Sequence, residues 1–141
     1  MSGNLTIQCV DIHVEIPPAG GTVPAPHRFS ARPRSSCAFV RVGGGAPLVV
    51  GDRFDNEAVP DHAQPKTGGA FANGTPSGEG EFTEAGQGLV YVGGKPWMCL
   101  KGRIKTCSDA VEERPVAAAA VLTQRALVMI NGSAALTGAA G

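Results

Sequence analysis

Leu89-Val90-Tyr91-Val92-Gly93-Gly94-Lys95-Pro96-Trp97-Met98-Cys99-Leu100-Lys101-Gly102 holds two short apolar runs on either side of a Gly-Gly pair. Gly-Gly tolerates the positive φ angles that a two-residue hairpin turn demands. The flanking valines, tyrosine and tryptophan suit a pleated strand. The stretch therefore reads as a β-hairpin that ends near a glycine. The same plan recurs upstream in Phe39-Val40-Arg41-Val42-Gly43-Gly44-Gly45-Ala46-Pro47-Leu48-Val49-Val50-Gly51-Asp52. It recurs downstream, more weakly, in Leu127-Val128-Met129-Ile130-Asn131-Gly132-Ser133-Ala134-Ala135-Leu136-Thr137-Gly138, where Asn-Gly takes the turn. Pro47 and Pro96 sit near the start of a returning strand, where a missing N–H is tolerated. Similar units at a regular spacing raise a repeat architecture. Three hairpins about one axis predict a pseudo-threefold body.

Composition agrees with an all-β domain. Of 141 residues, 20 are glycine and 11 proline, a mixture that breaks helices and favours short strands joined by tight turns. Apolar residues make up 43% of the chain, too many for a disordered segment. Arg53 to Gly88, rich in Gly, Pro, Asp, Asn, Thr and Ser, reads as long surface loops, with short strands expected in Lys66–Phe71 and Gly80–Thr83. Ala110 to Ala126 fits either a short helix, on the propensity of Ala117–Ala120, or an extended arm packed on the sheet. The length suits one domain over residues 1–141, with no further effector domain expected.

Charge narrows the function classes. Twelve basic and twelve acidic residues give a formal net charge of zero, with no basic block of the kind a nucleic-acid binder shows. Met1-Ser2-Gly3-Asn4 begins no cationic-then-apolar leader, and the run Val116–Leu122 is too short to span a bilayer. Synthesis in the cytoplasm and a soluble chain are expected. The four cysteines, Cys9, Cys37, Cys99 and Cys107, contain no C-x-x-C pair, so free thiols or a mixed metal site are favoured over disulfides or a four-cysteine zinc site. Cys9, Cys37 and Cys99 lie in or beside apolar runs and read as small buried hydrophobes. Trp97 reads as a core or interface residue.

Taken in order, these pieces resemble the PAAR-like spike-tip family of contractile injection systems and phage tails. Gly20-Gly21-Thr22-Val23-Pro24-Ala25-Pro26 looks like that family's Gly/Pro lead-in. Val40–Gly44 through Gly51-Asp52 resembles its first hairpin, Lys66-Thr67-Gly68-Gly69 the segment after it, and Val90–Pro96 its recurrent strand-turn-strand. The likeness spans Gly20 to Asp109. The chain departs from the pattern at Lys101-Gly102-Arg103, where the family has Gly-Asp, and it lacks the Pro-Ala-Ala-Arg tetrapeptide. The resemblance implies a cone-like β structure whose base caps a trimeric spike protein (VgrG-like, or a phage spike or hub), one tip per trimer. It implies a monomer when alone, assembly into a virion tail or injection particle, and a target-cell envelope membrane as the thing pierced.

The family holds a metal near its apex with histidines and a cysteine. Carried over, this implies a site drawn from His13, His27, His62 and Cys107, with His62 and Cys107 as the leading pair because each follows a hairpin. A His/Cys set suits tetrahedral zinc, with iron as the alternative. An ordinary surface role for each histidine is the competing reading. Motifs of hydrolases, zinc proteases and P-loop enzymes are absent from the sequence, and the paired carboxylates Glu79/Glu81 and Glu112/Glu113 read as solvated acids. A non-enzymatic structural role is expected. The alternatives are a small metal- or cysteine-dependent enzyme and an adaptor that couples a separate effector to the spike. The three Asn-x-Ser/Thr sites read as turns.

Overall fold

The computed structural model describes residues 5–57, 61–109, 113–122 and 128–140. All three sequence-predicted turns adopt the backbone of two-residue hairpins: φ is +57° and +87° at Gly43 and Gly44, +59° and +83° at Gly93 and Gly94, and +49° and +78° at Asn131 and Gly132. Numbered in chain order, the first strands are β1 (Leu5–Ile16), β2 (Val23–Ala31), β3 (Arg34–Ser35), β4 (Ala46–Pro47) and β5 (Arg53–Asp55). The middle ones are β6 (Ala70–Phe71), β7 (Glu79–Glu84), β8 (Tyr91–Val92), β9 (Lys95–Pro96) and β10 (Arg103–Lys105). The last are β11 (Glu113–Pro115), β12 (Ala120–Leu122), β13 (Met129–Ile130), β14 (Ser133–Ala134) and β15 (Thr137–Ala140). The chain is all-β, as its composition predicts.

Each hairpin passes its returning strand to a neighbour. Met98 N donates to Leu48 O (2.7 Å), Leu136 N to Met98 O (2.8 Å), and Leu48 N to Leu136 O (3.1 Å). Counted from Gly43, Gly93 and Asn131, these three residues hold the same position in their units. The register repeats one step away: Val49 pairs with Trp97, Cys99 with Ala135, and Thr137 with Pro47. First pairs with second, second with third, and third with first. A cyclic set of this kind defines a pseudo-threefold axis, and Leu48, Met98 and Leu136 beside it are fully buried. The third unit, weakest in sequence, closes the ring as well as the others.

A long antiparallel hairpin, β1–β2, stands beside this ring, flanked by β12 and β6 on β1. A second sheet, ordered β11-β10-β7-β5, packs beside it. The core joins Leu5, Ile7, Phe29, Phe54, Phe82 and Ile104 to the axis residues. Phe54 links Phe29 (5.9 Å between ring centroids) to Phe82 (5.2 Å), and Phe29 also lies 5.8 Å from the His62 ring. The aromatic core thus runs directly into a histidine cluster.

Two sequence readings are refined. Arg53 to Gly88 is not all surface loop: Phe54, His62, Gly80 and Phe82 are buried, because β5 and β7 turn Phe54 and Phe82 into the core and the turn after β5 carries His62 inward. Only Ala70–Phe71 of Lys66–Phe71 is a strand. The Ala117–Ala120 run forms no α-helix. It makes a 3₁₀ turn at Val116–Ala118 and then joins β1 as β12, since Pro115 restrains its start and pairing with Leu5–Ile7 overrides alanine propensity. Glu113–Pro115 of that segment form β11, while residues 110–112 and 123–126, and Leu127, fall outside the described residues. No helix among the described residues is long and apolar enough to cross a membrane.

Candidate metal centre

Strand alternation builds the site. Along β1, Leu5, Ile7, Asp11, His13 and Glu15 are buried while Gln8, Val10, Ile12 and Ile16 are exposed. The inward face turns from apolar to ionisable as the strand advances. On β2 the inward residues are Ala25, His27, Phe29 and Ala31, and the register sets His27 opposite Asp11. His62 enters from the turn after β5, and Thr106 and Cys107 from the end of β10.

The three histidine rings form a triangle with centroids 5.3–5.6 Å apart. Phe71 lies against two of them, 6.1 Å from His13 and 5.4 Å from His27. Cys107 Sγ lies 3.6 Å from His13 Nε2. All four sequence-predicted residues, His13, His27, His62 and Cys107, therefore meet in one place, and all three histidines are buried. His13 lies within β1.

Donor atoms from Asp11, His13, His62 and Cys107 all lie within 4.8 Å of one another. Asp11 Oδ2 is 3.2 Å from His62 Nε2 and 3.2 Å from Cys107 Sγ. A tetrahedral zinc with bonds of about 2.0–2.3 Å needs ligand–ligand edges of about 3.3–3.7 Å. Three of the six edges, at 3.2, 3.2 and 3.6 Å, lie close to that range, and the mixed N, S and O donors suit zinc chemically.

The outer nitrogens are also held. His13 Nδ1 pairs with Asp109 Oδ1 at 3.0 Å, and Asp109 Oδ2 accepts from Val14 N (2.6 Å) and Asn73 Nδ2 (3.1 Å). A carboxylate behind a ligand histidine fixes its ring and raises its basicity. His62 Nδ1 meets Asn56 Nδ2 at 2.8 Å. Asp11 Oδ1 accepts from Thr106 Oγ1 and lies 3.5 Å from Arg114 Nη2. Among the described residues, no buried side-chain nitrogen or oxygen lacks a partner.

Electrostatics follow from this wiring. Burial pushes the Asp11 carboxyl up, but hydrogen bonds from His62, Thr106 and Cys107 outweigh it and hold the group below its usual range. Burial, joined by the Asp11 charge, pushes the Cys107 thiol up to about 12. A cavity of about 190 Å³ reaches Cys107 past Arg53, Glu79, Glu81 and Lys105. A thiol held that high is the opposite of an activated nucleophile.

Asp11, Glu15 and Asp109 are the site residues that the sequence reading missed. The signal for Asp11 and Glu15 was the period-two spacing Asp11-x-His13-x-Glu15, legible only once β1 is known to be a strand; Asp109 carried no such signal. All four cysteines are free; Cys37 and Cys99 are buried as expected, whereas Cys9 is half-buried. No protein-family model matches this chain, and no match is found among curated proteins or solved structures.

Proposed function

We propose that this chain is a structural spike tip: a pseudo-threefold cap, stapled by one zinc ion, that sits on a trimeric β-helical spike of a phage tail or contractile injection machine. The cyclic hydrogen-bonded register about Leu48, Met98 and Leu136 carries the reading. A single chain with three equivalent units can meet three identical subunits at once while presenting one distal end. Such a cap would also cover the strand edges at the end of the spike.

Exposed apolar side chains support a docking face. Phe39 and Leu89 hold equivalent positions and are 72% and 71% exposed. Arg41, Tyr91 and Met129 are a second equivalent set, with Tyr91 and Met129 both exposed large hydrophobics. Positions related by the pseudo-threefold surround the axis at one level, and exposed apolar groups gathered there mark an interaction surface. Zinc is the metal that the donor set favours, and a centre closed by four protein donors contributes to folding rather than to turnover.

Size-exclusion chromatography tests this reading. The wild-type chain should run as a monomer alone and co-migrate with a trimeric β-helical spike protein from the same source. The L89D/Y91D variant should keep its circular dichroism spectrum and metal content yet fail to co-migrate. Absence of co-migration by the wild type, or undiminished binding by the variant, rejects it.

A further inference from the structure

The two histidines that share the quartet and the one that does not are wired differently. His13 and His62 direct Nε2 at Cys107 and Asp11. His27 directs Nε2 at Glu15 Oε2, 2.6 Å away, and Nδ1 at the backbone oxygen of Asp61. Both in-plane directions of the His27 ring are thereby taken, and neither partner belongs to the quartet.

Glu15 has reason to keep this partner. It is fully buried, and a buried carboxylate without compensation is costly. Its Oε1 accepts from Thr67 N (2.9 Å), and its Oε2 accepts from Lys66 N (3.0 Å) as well as meeting His27. The Asp61 carboxylate in turn accepts from Arg28 N and pairs with Lys66 Nζ at 3.2 Å. The Glu15–His27 pair thus clasps both ends of the 61–67 turn, the segment that carries His62.

We infer that Asp11, not His27, completes the metal centre, and that His27 is a positioning residue that holds the His62 turn through Glu15 and Asp61. This rests on the metal reading above. A neutral centre results: the carboxylate of Asp11 and the thiolate of Cys107 balance a divalent cation, with the thiol proton released to solvent. The Glu15–His27 pair remains intact beside it.

X-ray absorption at the zinc edge of the full chain loaded with one equivalent of zinc decides between the assignments. The expected shell is two imidazoles, one sulfur and one carboxylate oxygen. H27Q should still bind one zinc with that same shell minus nothing, at an affinity lowered about 10- to 100-fold, as loss of an outer partner does. The cobalt-substituted H27Q should keep the visible spectrum of the cobalt-substituted wild type, whereas D11A should change it. A shell of three imidazoles, or a cobalt spectrum altered by H27Q and not by D11A, overturns the assignment while leaving the metal reading intact. Failure of the wild type to take up zinc or cobalt removes the metal reading, and this inference with it.

Discussion

Cys107 and Asp11 sit 96 residues apart in sequence, yet the thiol donates a hydrogen bond to the carboxylate, whose charge disfavours the thiolate. Without a cation the thiol is held protonated, pushed up to about 12 by burial and by the neighbouring carboxylate. Binding zinc must therefore expel that proton, so affinity rises with pH throughout the neutral range. Zinc titrations with a competing chelator at pH 6, 7 and 8 should give an affinity that rises about tenfold per pH unit, one proton per metal. In C107S the slope should flatten and the affinity fall. Glu15 has the opposite sense. Its folded pKa is held near 2; burial alone would raise it, but the N–H groups of Thr67 and Lys66 and the His27 ring outweigh that effect. A depressed carboxyl contributes stability that is complete above its unfolded value of 4.5 and is lost as pH falls toward 2. The thermal midpoint of the wild type should decline across that window, and E15Q should show a lower midpoint at pH 6 with a shallower acid limb. The histidines and Cys107 were legible in the sequence as residue types and through a family likeness. Asp11, Glu15 and Asp109 were not, because carboxylates are common in loops: strand alternation turns Asp11 and Glu15 inward, and Asp109 reaches His13 only because the bend after β10 packs on β1.

At the scale of elements, the three hairpin turns were the most legible part of the chain, since Gly-Gly and Asn-Gly between apolar runs admit few other readings. The β1–β2 hairpin was far less so. Its inward face carries Asp11, His13, Glu15 and His27, which breaks the apolar alternation that marks a strand. Two glycines separate turn strain from close packing. At Gly94, φ is +83° and an added Cβ meets nothing within 4 Å, so G94A carries only the left-handed strain of about 1 kcal/mol. At Gly102, an added Cβ would lie 2.3 Å from Glu84 O and 2.6 Å from Met98 Cε, against backbone that cannot retreat. G102A should cost about 3 kcal/mol, the upper range for overpacking. Urea unfolding of both variants checks the order, and equal losses would mean that the β7–β10 contact yields more easily than its geometry implies.

At the scale of the molecule, three short hairpins and two small sheets close on one axis, and that closure makes the body cooperative. Met98 touches the axis, the core and Gly102 together. M98A should remove about 2–5 kcal/mol and lower the whole unfolding transition rather than split it, because no unit keeps a core without the other two. The threefold plan was readable from the repeat, but its closure was not. Which strand follows which depends on contacts between units far apart in the chain, such as Leu48 with Leu136. If this pseudo-threefold body serves a truly threefold partner, native mass spectrometry of its complex with a trimeric β-helical spike protein should find three spike chains and one copy of this protein; one copy per spike chain would rule the pairing out.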